Sequence, residues 1–392
     1  MSRVAVFGAS GFVGATVVER LYAAGRHDVV PVVHSSGNAW RVARLPLSLK
    51  TVNLMDAASV RDAVDGCTHV VNCTRGGDDV MLKGFRTLLQ ACMANRVQRL
   101  IHLSSVAVYG DPPGPDSQDE AGRTNPARGS YGWIKLQQDN MLERAARSGL
   151  SCVALCPPNI GGPYSYFLLA LLAALNGGRF ALVDGGHTPC NLVDVANLAL
   201  AIELALERGP EDGRRLFIAD DDAATWASVL AELRPLVRDG TPPVPSIQAG
   251  VLRALLAAQR PAPASPWRSL KHLVSSDVRE VLRRDPLLAR IDASLRRSVA
   301  LLGSAVEERL RLAIEAPSGR RSAAQRSDID LRLAAQQLRT VVHSPRRARE
   351  TLGYQPRHKF AASMHAFRAW YQSMSGAGSP FGDLYARIAA HA

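Results

Sequence analysis

The chain has 392 residues, 47% hydrophobic and 21% charged, which is ample for a buried core and excludes a disordered protein. Its +12 charge is unevenly placed: residues Arg260 to Glu350 hold 19 Lys and Arg against 10 Asp and Glu. That region is poor in aromatics and carries no nucleic-acid motif, so a solvated helical surface is expected there. The start, "MSRVAVFG", lacks the pattern of a secretory leader, and the longest apolar run, Tyr166 to Leu175, is too short to span a bilayer. Cys67, Cys73, Cys92, Cys152, Cys156 and Cys190 show neither a CxxC pair nor metal-ligand spacing. Free core thiols in a cytoplasmic protein without a metal site are expected.

The first 160 residues alternate strand and helix patterns, as a parallel sheet with crossover helices requires. "RVAVF" predicts a short buried strand and Phe12 to Ala24 a helix. "DVVPVV" predicts a second strand, although Pro31 removes a ladder hydrogen bond. "KTVNL" predicts a third strand, Ala57 to Val64 a helix, "HVVNC" a strand, and Val80 to Ala94 a helix. "RLIHLSS" is expected as the fifth strand, "SYGWIKLQQDNMLERAARSG" as a long helix closed at Gly149, and "SCVALC" as the sixth strand. Beyond "PPNIGGP" come a helix from Tyr166 to Leu175, a strand in "RFALV", a helix from Asp194 to Glu207 and a strand in "RRLFIAD". A proline-rich stretch over 241–267 precedes arginine-rich amphipathic helices over 270–340.

"VFGASGFVG" places Gly8, Gly11 and Gly14 three apart, between the first strand and the first helix. There Gly8 permits a tight turn, Gly11 lets a pyrophosphate approach the backbone, and Gly14 lets helix pack on strand. The free N–H groups of the helix start face that phosphate. "HLSSVAVYG" ends the fifth strand, on the side where open α/β sheets bind ligands, and "YGWIK" sets Tyr131 and Lys135 one helical turn apart.

In that order, these motifs resemble the extended short-chain dehydrogenase/reductase superfamily, in its NAD(P)-dependent epimerase/dehydratase branch. The resemblance covers residues 3 to about 230 and resumes at "VVHSPRRARETLGYQPRHKFAASMHAFRAWY". It implies an α/β fold, a Rossmann-type doubly wound parallel sheet with a smaller, largely helical C-terminal substrate domain. The cofactor domain would span 1–165, with 190–220 returning to it. Residues 166–189 and 221–392 would bind substrate, with a helical insert at about 262–340 shaping the substrate side.

Carried over by position, Ser105, Tyr131 and Lys135 would be the catalytic set. Tyr131 would move the proton, Lys135 would stabilise its phenolate, and Ser105 would hold the substrate oxygen. Besides Gly8, Gly11, Gly14, Tyr131 and Lys135, the cofactor would touch Ser10, Phe12, Val13, His34, Cys73 and Thr74. Asn53 and Leu54 of "NLMD" would sit by the adenine, and Pro157 and Ile160 of "PPNIGGPYS" by the nicotinamide.

Several positions depart from the family pattern. Val106 and Ala107 replace the Asp-Glu pair of the dehydratases, so elimination of water is not expected. Cys190, Cys156 and Gly161 stand where nucleotide-sugar members carry Arg, Arg and Tyr, and Met81 stands for a frequent Asn. The implied activity is hydride transfer to or from a carbonyl or hydroxyl carbon of a small-molecule substrate. A nucleotide-sugar epimerase and a non-catalytic cofactor sensor are the alternatives. No acid ends the second strand near Val33, and Arg41 and Arg44 follow, so the cofactor is expected to be NADP or NAD, with NADP slightly favoured. A homodimer is expected by resemblance, through apolar Leu88, Leu89 and Met93 on one helix and Ile134, Leu136 and Met141 on the other. Neither nucleic acid nor membrane is an expected partner.

Overall fold

The computed structural model describes residues 1–222, 224–259 and 329–375. The chain divides into two units, Met1–Ala249 with Ile329–Ala392, and Gly250–Asp328. The insert expected at about 262–340 therefore lies mostly outside the described residues, and its last stretch, from Ile329, belongs to the first unit.

The first unit is built on seven parallel strands: β1 (Ser2–Phe7), β2 (His27–Val33), β3 (Lys50–Thr51), β4 (His69–Asn72), β5 (Arg99–Leu103), β6 (Cys152–Cys156) and β10 (Asp212–Phe217). Their order is β10-β6-β5-β4-β1-β2-β3, so the chain winds outward from β1, crosses back to β4, and winds the other way. This is the doubly wound Rossmann-type sheet. Both faces are covered, which is why the strands are almost continuously apolar rather than alternating. Along β1, Val4 and Val6 bury into one cluster with Val17 and Leu21 of α1 (Phe12–Ala24) and Leu198 and Ile202 of α6 (Val195–Glu207). Ala5 and Phe7 bury into the opposite cluster, with Val60 of α2 (Ala57–Val64), Leu88 of α3 (Phe85–Ala94) and Leu142 of α4 (Tyr131–Arg147).

Pro31 is accommodated by its place in the order. Val32 carbonyl accepts from Gly8 and Ala9 on the β1 side, so Pro31 turns its missing N–H to the other side. There β3 starts pairing only at Val32, so little of the ladder is lost. The third strand is two residues long where "KTVNL" predicts five, and of "RFALV" only β8 (Leu182–Val183) pairs, with β11 (Ser246–Ile247). The helix expected over Val80 to Ala94 opens with a π turn at Val80–Gly84 before α3. In that turn Met81 carbonyl accepts from Gln138 Nε2 at 2.6 Å, which fastens it to α4.

A separate apolar cluster gathers Leu168 and Leu171 of α5 (Tyr166–Asn176), Trp226 and Leu233 of α7 (Trp226–Leu233), Leu333 of α9 (Leu331–Gln336) and Phe367 of α11 (Phe360–Ser375). α8 (Ala249–Gln259) and α10 (Arg346–Leu352) complete the described helices, and Leu352 and Tyr354 return to the sheet's core. Two hydrogen bonds flank the 250–328 unit in the chain: Ala249 N–H donates to Asp184 at 3.0 Å, and Asp330 N–H to Arg179 carbonyl at 2.7 Å. Asn197, fully buried on α6, accepts from the Arg357 and His358 amides and donates to His358 carbonyl and Asp220. Leu88, Leu89 and Ile134, expected at a dimer contact, are buried in the chain's own core, so only the half-buried or exposed Met93, Leu136 and Met141 remain on the outside. Among the described residues no helix is long and apolar enough to cross a membrane.

Candidate active site

The strand order reverses between β1 and β4, and a cleft of about 1680 Å³ opens at the carboxyl ends of these strands. β1 runs into the glycine loop, whose turn is held by Gly8 and Ala9 N–H bonds to Val32 carbonyl, both 3.1 Å. Gly11 caps α1. A Cβ on Gly14 would stand 2.1 Å from Gly8 carbonyl oxygen, so only glycine lets helix and loop close together. Gly8, Ser10, Gly11, Phe12 and Val13 line the cleft, while Gly14 does not and acts in packing alone.

The other expected cofactor residues reach the same cleft from separate strand ends: His34 after β2, Asn53 and Leu54 after β3, Cys73 and Thr74 after β4, Pro157 and Ile160 after β6. A bare backbone cradle at a helix start, continuous with a long cleft, fits a dinucleotide. Burial pushes the Cys73 thiol up to about 12, so it is a neutral wall.

Ser105, Tyr131 and Lys135 line the cleft together. The hydroxyl of Ser105 accepts from Ala107 N–H at 3.2 Å and caps a 3-10 turn, Val106–Tyr109. Ser130 caps α4 by accepting from Trp133 N–H. A Cβ on Gly132 would lie 2.1 Å from Ala107 carbonyl oxygen, so glycine there brings the first turn of α4 against the turn that carries Ser105. Spacing alone could not place that approach, because the loop between them is 21 residues of irregular chain.

Lys135 is buried, donates from Nζ to Leu103 carbonyl at 2.8 Å, and lies 6.0 Å from the Tyr131 ring centre. Burial draws its pKa down to about 8, against the pull of Asp139 one turn further along α4. Asp139 is itself fully buried and accepts from Arg215 Nε of β10 at 2.7 Å. Its carboxyl is pushed up by burial, with Arg215 opposing. His102 beside it is held neutral by burial and bonded to Asn72 at 3.1 Å. Asn72 also accepts from Thr74, which fixes the start of the loop after β4. Tyr131 remains 42% exposed to the cleft, yet surrounding protein raises its phenol above the ordinary value, with Arg75 pulling it down. A phenol raised above its ordinary value stays protonated at neutral pH, the form that can protonate a carbonyl oxygen.

Several lining residues were not legible beforehand. Phe167, Pro189 and Trp226 add an apolar wall to the cleft. Arg339 and Asp111 meet in a two-point pair, 2.9 and 2.8 Å, and His343 is buried against Ser117 carbonyl, its pKa drawn down to about 4. Asp111 and Arg339 are 228 positions apart, and nothing local in the sequence marks that pairing. Arg41 and Arg44, expected near a cofactor phosphate, instead share the carboxylate of Glu19 on α1, and Arg41 also donates to Phe12 carbonyl. Asp194 caps α6 by accepting from Ala196 N–H, and Cys190 is a buried thiol.

Among known proteins, the chain is 30% identical over 243 residues to a ketoreductase of Stigmatella aurantiaca acting on 4-hydroxy-2-methyl-3-oxo-4-farnesyl-3,4-dihydroquinoline-1-oxide, covering 59% of this chain and 72% of that one. It is 28% identical over 281 residues to a UDP-glucose 4-epimerase of Streptomyces lividans, covering 62% and 83%. Among solved structures, the UDP-glucose 4-epimerase of Thermotoga maritima with UDP-glucose superposes with a TM-score of 0.63 at 15% identity, over 95% of this chain and 99% of that one. The Bordetella bronchiseptica enzyme WbmG in complex with NAD superposes with a TM-score of 0.60 at 16% identity, over 95% and 94%. These structures share its fold. The family model that matches spans residues 4–219, more than half of the chain, and by its glycine loop, its sheet and this match the chain belongs to the NAD dependent epimerase/dehydratase family.

Proposed function

We propose that the chain is an NAD(P)-dependent reductase or dehydrogenase interconverting a ketone and a secondary alcohol on an uncharged small molecule. The observation that carries this reading is the meeting of Ser105, Tyr131 and Lys135 in one cleft with the glycine loop. Hydride transfer is the chemistry that a bound nicotinamide supplies. Tyr131 hands a proton to the carbonyl oxygen in reduction and takes it back in oxidation. Ser105, whose oxygen accepts from Ala107 N–H, keeps its own O–H to donate to that same oxygen, and Lys135 steadies the phenolate formed.

The apolar wall of Phe167, Pro189 and Trp226 suits a hydrophobic or ring-bearing substrate better than a nucleoside diphosphate sugar. Arg339, which lines this end of the cleft, already has its charge answered by Asp111. Similarity to a ketoreductase supports the same reading. Similarity to UDP-glucose 4-epimerase supports the second, an epimerase that returns its hydride and shows no net cofactor turnover. Turnover of nicotinamide absorbance with candidate ketones separates the two. Tyr131→Phe keeps the ring and removes the hydroxyl, and turnover should fall by about 10²–10⁴-fold with cofactor affinity little changed. A folded variant with near-native turnover refutes the assignment.

For the cofactor, the absence of an acid at the end of β2 still supports NADP(H) binding at least as well as NAD(H), although Arg41 and Arg44 no longer argue for it. Calorimetry showing NAD more than tenfold tighter rejects this. The six free thiols support a cytoplasmic setting.

A further inference from the structure

Directly after β4 the loop carries Arg75, exposed at the rim of the cleft. Its guanidinium carbon stands 5.4 Å from the centre of the Tyr131 ring, nearer than the Lys135 ammonium at 6.0 Å. Asp79, four residues further along the loop, is paired with Lys83 at 3.0 Å. Thr74, its neighbour, is fastened to Asn72, so the loop leaves the sheet in a fixed direction. The phenol is thus flanked from two elements, by Lys135 on its own helix and by Arg75 from the loop after β4.

We propose that Arg75 is a positioning residue for proton transfer, a permanent positive charge over the Tyr131 ring that the buried lysine alone does not supply. A cation over an aromatic face within about 6 Å is attracted to it, and the attraction grows when the ring becomes a phenolate. The charged and titratable groups around Tyr131 divide clearly. Burial raises its pKa most, Arg75 lowers it, and Asp139 on α4 and the Cys156 thiol on β6 raise it further. Lys135 loses its proton from about pH 8 upward, whereas a guanidinium keeps its charge throughout. The tyrosine therefore depends on Arg75 increasingly as pH rises.

The significance of this role rests on the reading of Tyr131 as the proton-transfer group, but its test needs neither substrate nor cofactor. Tyrosines labelled with ¹³C at Cζ are titrated by NMR, and the Tyr131 signal is assigned by its loss in Tyr131→Phe. Arg75→Gln should raise the Tyr131 midpoint by about half to one pH unit, the size of such a contact. Arg75→Lys should restore most of that shift, and Arg75→Glu should enlarge it. A midpoint unmoved or lowered in Arg75→Gln overturns the proposal. So does a lysine variant that behaves like glutamine, because a packing role alone would give that result. Failure of ketone turnover with these shifts intact would count against the proposed reaction and leave the electrostatic role standing.

Discussion

Arg215→Met should destabilise the protein in a way that depends on pH. Asp139 is fully buried, and Arg215 Nε, at 2.7 Å, is the cation bonded to it. His102 lies 4.0 Å from the second carboxylate oxygen and is held neutral, and Lys135, which also favours the carboxylate, has its ammonium bonded to Leu103 carbonyl. Removing one partner of such a pair leaves an uncompensated buried charge, which costs about 3–5 kcal/mol at neutral pH. The folded protein then escapes by keeping Asp139 protonated, so its pKa, already raised by burial, rises further. In the unfolded chain that carboxyl ionises near 3.9. The deficit should therefore be small near pH 4 and grow as pH rises toward the elevated folded value. Urea unfolding of wild type and variant at pH 4.5 and pH 7.5 measures both quantities, and Asp139→Asn added to Arg215→Met should recover part of the loss. A loss below about 1 kcal/mol at pH 7.5, or one equal at both pH values, refutes the argument.

Three further outcomes are expected. Gly14→Ala would put a methyl 2.1 Å from Gly8 carbonyl oxygen, so the loop must shift; stability should fall by about 1–3 kcal/mol and NAD(P) affinity by at least tenfold in calorimetry. Asp220, held near Asn197 and Asp194 N–H, has its pKa pushed up to about 7 by burial, so its own contribution to native stability is greatest below about pH 4 and declines as pH rises toward 7. Asp220→Asn should flatten that decline, and an unchanged Tm difference between pH 5 and pH 8 would contradict it. A homodimer, if it pairs through the outer faces of α3 and α4, should give a dimeric mass by light scattering at micromolar concentration, and Met93→Glu should weaken it.

The sheet was legible because its strands are apolar runs separated by glycines and helical periods, each determined within a few residues. The same holds for the glycine loop and for Tyr131 and Lys135 on one helix face. What failed to show was pairing between distant positions. Arg41 looked like a phosphate ligand because its partner, Glu19, sits on α1, and only the fold brings them together. Arg75 carried no motif at all; the one available signal was its place just past a strand end. The two-residue β3 and β8 were overestimated because β-prone composition reports burial as readily as pairing.

The hydrogen bonds at Ala249 and Asp330 give the 250–328 unit the character of a cassette. Both points of attachment hold to one short segment, Arg179 and Asp184, five positions apart in the chain. Within the first unit the two chain positions that bracket residues 250–328 are thus held without reference to the length of chain between them, and closing a loop costs little more for a long insert than for a short one. A change in the length of chain between Ala249 and Asp330 therefore leaves both of these bonds in place.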